Sequence, residues 1–169
     1  MCIRDSIWDA RGRRVFDSGS TLAQAIAAAL PAGFNATNDD NDSLDGRSDD
    51  KGSEPEGIAI GEVWGRTYAF VGLERVGGVA VFDVTDPPRA RFETYVSPRS
   101  FEVDVCLRRD AAGACETGQG NANPAAGDLG PEGILFIPWH QSPIWRPLLV
   151  VANEVSGTTS IHQIRIRRR

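Results

Sequence analysis

Three features of the sequence predict an all-β chain, a partial β-propeller of about two four-stranded antiparallel blades with an N-terminal hairpin and one short helix. The tetrapeptide Pro-Glu-Gly-Ile occurs at 55–58 and returns 76 positions later at 131–134, each time heading an apolar run. Residues 71–84 (VGLERVGGVAVFDV) align without a gap on residues 151–164 (VANEVSGTTSIHQI) at an offset of 80, so Glu74 meets Glu154 and Gly77 meets Gly157. Strand-like runs also follow one another at a spacing of about ten residues, the rhythm of an antiparallel meander. A single four-stranded sheet cannot bury both faces, so a repeated meander implies blades stacked on blades.

The elements follow in order. Residues 1–5 (MCIRD) join awkwardly to the strand-like run after them and read as a non-native leader, leaving 6–169 as the C-terminal part of a propeller domain. Within it, 6–19 are the end of a preceding blade, two short strands around a turn at Ala10 to Gly12. Residues 20–54 hold a helix and an acidic loop. Thr21 with Gln24 three positions on is a capping-box pattern, Leu22, Ile26, Ala29 and Leu30 share a face, and Pro31 and Gly33 stop the helix. Residues 55–97 form a blade from the runs GIAIGEV, TYAFVGLE, GVAVFDV and RFETYV, with turns at Trp64 to Arg66, Gly77–Gly78 and Asp86 to Pro88. Residues 98–130 are an irregular insertion, and 131–166 a last blade of three strands. A ring that closes by borrowing its fourth strand from elsewhere in the parent protein would account for the missing strand.

At 169 residues, 41% hydrophobic and 24% charged, the composition is that of a globular protein. No apolar run approaches the roughly 20 residues needed to cross a bilayer as a helix. The net charge of −5 is local: residues 39–56 hold eight acids against Arg47 and Lys51, so that segment carries −6 and the remainder +1. Concentrated acidity of this kind argues for a cation as partner and against nucleic acid. With almost no apolar residue, the loop must take its order from ligands or hydrogen bonds. Its spacing does not match an EF-hand, because Leu44 occupies the fifth position counted from Asp40. Cys106 and Cys115 bracket a short loop that either a disulfide or two buried thiols would satisfy. Asn35 and Asn41 begin glycosylation sequons, a pattern short enough to arise by chance.

The chemistry centres on carboxylates. Glu56 and Glu132 open the first strand of each blade, whereas Glu74 and Glu154 end the second, and antiparallel pairing brings a first strand's start beside a second strand's end. All four should face one end of the central channel, together with Arg75 and Asn153. Converging carboxylates repel one another unless a cation or an arginine compensates, and oxygen-only ligands suit Ca²⁺. The expected metal ligands are therefore Glu56, Glu132, Glu74 and Glu154, with Asp49 and Asp50 from the acidic loop. Arg75 and Asn153 are the expected substrate contacts. The alternative is that each Glu-Gly opens a turn and its carboxylate caps backbone amides.

The stretches SIWDARGRRVFDSG, NDDNDSLDGRSDDKGSEPEGIAIG, RTYAFVGLERVGGVAVFDVTDP and GDLGPEGILFI with PLLVVANEVSGTTSI resemble the C-terminal part of the choice-of-anchor I family. The resemblance implies an exported bacterial β-propeller whose relatives carry varied surface-anchoring tails, hence a secreted or cell-surface location. It also implies similarity to proteins labelled alkaline phosphatase and, more distantly, to propeller phosphatases and phytases in which channel-facing Glu residues bind calcium. That supports a calcium role for Glu56 and Glu132. Two functions follow as expectations: a calcium-stabilised binding or scaffold propeller that engages a glycan or matrix protein, and a metal-dependent hydrolase of phosphate esters. In either, the remaining blades of the full-length protein are partners.

Overall fold

The computed structural model describes residues 4–116 and 121–165; Cys2 and the end of the final basic run lie outside them. The strands are β1 (Ser6–Trp8), β2 (Arg14–Asp17), β3 (Pro55–Val63), β4 (Arg66–Leu73), β5 (Val79–Asp83), β6 (Arg91–Val96), β7 (Pro131–Ile137), β8 (Leu148–Asn153) and β9 (Thr158–Gln163), with one α-helix, α1 (Thr21–Ala29). They make three antiparallel sheets ordered β1-β2, β3-β4-β5-β6 and β7-β8-β9. This is an all-β architecture arranged as consecutive propeller-like blades.

The two larger sheets stack with their first strands side by side. A Cβ added to Gly57 would lie 2.2 Å from the carbonyl oxygen of Glu132, and one added to Gly61 would lie 2.4 Å from the Phe136 ring. Gly57 opposite Glu132 and Gly61 opposite Phe136 advance together, so β3 and β7 run parallel. Only glycine permits that approach. Away from the glycines the gap is filled by Phe70 stacked on Phe136 (centroids 5.8 Å apart, 12° between planes) and by Val63, Tyr68, Val79, Leu149 and Val151.

The opposite face of the four-stranded sheet is covered by α1 and the hairpin. Leu22 and Ile26 pack with Val71, Leu73, Val76, Ala80 and Phe82, and Phe16 of β2 meets Phe82 edge-on. Two expectations about α1 are corrected. Ser20, not Thr21, precedes the first helical residue, and Gln24 Nε2 donates to Ser20 Oγ at 2.9 Å. Ala29 is exposed, because the helix rests on the sheet through its first two turns only. Asp5, set aside with the leader, donates its amide to Ser18 Oγ at 3.0 Å and accepts from the Ser18 amide at 2.9 Å.

Ile58 and Ile60 on β3, and Leu135 and Ile161 on the three-stranded sheet, are more than half exposed. They lie on sheet faces, the surfaces that one blade presents to the next.

Candidate functional site

The starts of β3 and β7 lie at one end of the molecule, and each is bonded to its own second strand in the same way. Pro55 pairs with Leu73 and Pro131 with Asn153. The Glu74 amide donates to the Glu54 carbonyl at 2.9 Å, and the Glu154 amide to the Gly130 carbonyl at 2.8 Å. Glu54 and Gly130 are therefore equivalent positions in the repeat, and both have left-handed backbones, φ 49° and 70°. Gly130 adopts this freely, whereas a side chain there costs roughly 1–2 kcal/mol. The four-stranded sheet accepts that cost to hold a carboxylate, and Glu54 is buried. Backbone strain of this kind concentrates at functional positions.

Around Glu54 the structure assembles a trio. The carboxylate oxygens of Glu54, Glu56 and Glu74 lie within 4.8 Å of one another. Arg75 Nε donates to Glu54 Oε2 at 2.6 Å, Lys51 Nζ binds Glu54 Oε1, and Arg75 also reaches Glu74 Oε1 at 3.4 Å. Asn38 bridges the two sides: its Nδ2 donates to Glu74 Oε1 at 3.1 Å while its Oδ1 accepts from Arg75 at 2.9 Å. Burial opposes ionisation of Glu54, yet the hydrogen bonds from Lys51 and Arg75 outweigh it and hold its carboxyl below the ordinary range. Glu74 goes the other way. Burial, and then its hydrogen bond with Glu56, raise it from an ordinary 4.5 to about 7. Glu74 is thus easier to protonate than a free glutamate, because two like charges this close do not both ionise readily.

A stability prediction follows. Since the fold holds Glu74 above its ordinary value, this group's contribution is fully present below about pH 4.5 and is lost as pH rises through about 7. In metal-free buffer the melting temperature should fall over that interval, by roughly 3 °C from this group, and Glu74→Gln should flatten the slope. Melting curves at stepped pH check it.

The other anticipated ligands are placed differently. Glu132 starts β7 beside Gly57 but is exposed, as is Glu154, and neither joins the trio. Asp49 and Asp50 are exposed, and Asp50 lies 3.6 Å from Arg47. Arg75 is occupied by Glu54, Asn38 and Glu74, and Asn153 is buried with its Nδ2 directed to Thr158 and Ser160 of its own sheet, both at 3.2 Å. Cys106 and Cys115 form a disulfide with Cα atoms 5.9 Å apart. Both sequon asparagines are engaged internally: Asn41 Nδ2 donates to the Ser100 and Val103 carbonyls, and buried Asn35 donates to Ser48.

A second arginine also anchors the acidic loop. Arg99, 5% exposed, donates to Asn41 Oδ1 (2.9 Å) and to the carbonyls of Arg75 (2.9 Å), Thr37 (2.8 Å) and Asp40 (3.2 Å), with its guanidinium 4.4 Å from the Phe101 ring centroid. Burial pushes it down to about 10, so it stays charged at neutral pH opposite Asp39 and Asp40. Sequence reasoning missed Glu54, Asn38, Lys51 and Arg99. A search for repeated residues passes over Glu54 because its counterpart is Gly130, and Arg99 stands in a segment without any pattern.

Residues 6–87 match the choice-of-anchor I domain. Gigasin-3a of Magallana gigas is 29% identical over 156 residues, covering 90% of this chain and 51% of its own length. A mesenchyme-specific cell surface glycoprotein of Strongylocentrotus purpuratus is 34% identical over 77 residues, 41% of this chain and 10% of its own length. The chain thus spans about half of the first relative and a tenth of the second. No solved structure matches, and among the described residues no helix is long and apolar enough to cross a membrane. Residues 6–87, just under half of the chain, are thus similar to the choice-of-anchor I domain, a likeness that suggests a cell-surface or extracellular location.

Proposed function

We propose that this chain is a calcium-binding portion of an extracellular propeller with a binding or scaffold role. The observation that carries the reading is the Glu54–Glu56–Glu74 trio, one member of which is buried in a left-handed backbone where the sister blade has glycine. The donor set fits a hard cation: it is all oxygen and closely spaced, and burial with the neighbouring Glu56 holds Glu74 above its ordinary range. Lys51 and Arg75 hold Glu54 and leave the exposed Glu56 and the opposed Glu74 to take the ion. A bound Ca²⁺ would supply the positive charge that relieves their repulsion, tying the acidic loop to the start of β3. A glycan or matrix protein is the kind of partner such a stiffened surface would engage, with further blades of the full protein completing the ring.

The hydrolase alternative would use Arg75 against a phosphate ester, but that guanidinium is spent on Glu54 and Asn38. The test is thermal unfolding of the chain with calcium or with a chelator, beside an assay on p-nitrophenyl phosphate. The reading predicts a calcium-dependent rise in melting temperature, of about 2.7 kcal/mol equivalent at a hundredfold excess over Kd, without turnover. Calcium-dependent turnover abolished by Glu56→Gln would favour the hydrolase; an unchanged melting temperature would remove the cation altogether.

A further inference from the structure

The end of the molecule opposite the carboxylates has its own character. All four tryptophans of the chain are exposed: Trp8 60%, Trp64 59%, Trp139 52% and Trp145 68%. Tryptophan is ordinarily a highly buried residue, so this departure calls for a cause. Because β3 and β7 run parallel, the β3–β4 turn with Trp64 and the β7–β8 loop with Trp139 and Trp145 emerge at the same end. The β5–β6 loop joins them, since the Val84 amide donates to the Thr67 carbonyl at 2.9 Å. Strand β2 packs against the Pro87–Arg89 turn of that loop, which brings the β1–β2 hairpin and Trp8 alongside. These side chains belong to strand ends and loops. Stacking another blade covers sheet faces such as Ile58, Ile60, Leu135 and Ile161, and would leave the tryptophans in solvent.

The β7–β8 connection is the centre of this surface. Where the sister blade turns in two residues, Trp64–Gly65, this one spends residues 138–147, PWHQSPIWRP. Trp139 and Trp145 lie 6.1 Å apart with planes tilted by 42°, and Ile144 between them in sequence is 55% exposed. The loop is closed by its own bonds, Ser142 to the Trp139 carbonyl at 3.4 Å and Trp145 to the Ser142 carbonyl at 3.1 Å. Trp64 and Trp145 both have left-handed backbones, φ 49° and 55°, unusual for so bulky a residue. The loop contains His140 and Arg146 and no carboxylate. Among the described residues Arg146 has no ion pair, and Arg165 joins it at this end because the Ile164 amide donates to the Pro147 carbonyl at 3.0 Å.

We infer that this tryptophan-bearing end docks on an anionic phospholipid surface, with Trp139, Ile144 and Trp145 entering the interface and Arg146 meeting headgroup phosphate. Tryptophan rings favour the headgroup boundary, an aliphatic side chain gains by entering the acyl region, and basic residues add attraction to anionic lipid. A sugar-binding platform would surround its aromatic rings with carboxylates and amides; here the loop supplies one amide, Gln141, among isoleucine, prolines, histidine and arginine. The carboxylate end would then point away from the membrane.

Co-sedimentation of the full chain with phosphatidylserine-containing vesicles and with pure phosphatidylcholine vesicles, both in chelator, tests this without involving the calcium site. The expected result is pelleting with the anionic vesicles that weakens with salt. The Trp139→Ala/Trp145→Ala double variant should lose about tenfold or more in affinity, and Arg146→Ala should reduce the salt dependence while circular dichroism stays unchanged. Failure to pellet, equal binding by the double variant, or retention only on a sulfated polysaccharide would overturn the inference, the last in favour of a polyanionic glycan.

Discussion

Replacing Arg99 by Met should destabilise the protein by roughly 3 kcal/mol, because it leaves several buried acceptors without a donor at once. The guanidinium satisfies Asn41 Oδ1 and the carbonyls of Arg75, Thr37 and Asp40, groups drawn from the acidic loop and from the β4–β5 turn. It also supplies the positive charge beside Asp39 and Asp40. Methionine fills much of the volume but donates nothing. The melting temperature should fall on the order of 10 °C, and amide exchange in residues 37–52 should accelerate more than in the strands. Calcium should recover part of the loss. Equal acceleration in β4 and the acidic loop would show instead that Arg99 supports the whole fold without specific attachment of the loop.

Gly57→Ala should be a strongly damaging single-methyl change. Its Cβ would lie 2.2 Å from the Glu132 carbonyl oxygen, a backbone atom that no rotamer change can move. The first strands must part, which also loosens the Phe70–Phe136 stack. A cost of about 3 kcal/mol or more is expected, at the upper end for overpacking. The control lies in the repeat itself. Gly133 occupies the equivalent position on β7, and a Cβ there meets only the Ala152 Cβ at an ordinary 3.4 Å. Gly133→Ala should therefore change stability by less than about 1 kcal/mol. Denaturant unfolding of the two variants side by side measures the closeness of the blades; equal effects would mean that β3 and β7 are not in this contact.

Much of this fold is legible in the sequence because the repeat is written twice. The Pro-Glu-Gly-Ile openings fall on β3 and β7, and the glycine pair at 77–78 falls on the β4–β5 turn, both glycines with positive φ. The site is less legible, for reasons that particular residues make plain. Glu56 and Glu74 are found by pairing the start of one strand with the end of the next, and they do meet. Their counterparts in the second blade form no such trio among the described residues, since Gly130 stands where Glu54 would complete it and no Asp-rich loop precedes it. Lys51 and Asn38 come from a loop whose path no periodicity encodes. Arg75 looks available in the sequence and is occupied in the fold, because only the structure reveals Glu54 turned toward it.

Calcium titration by calorimetry on the wild-type chain, Glu54→Gly, Glu56→Gln and Glu132→Gln tests the cation site most directly. Binding should weaken by about tenfold or more in the first two variants and remain as in the wild type for Glu132→Gln. Wild-type affinity retained by Glu56→Gln, or lost with Glu132→Gln, would contradict the trio as the place where the ion sits.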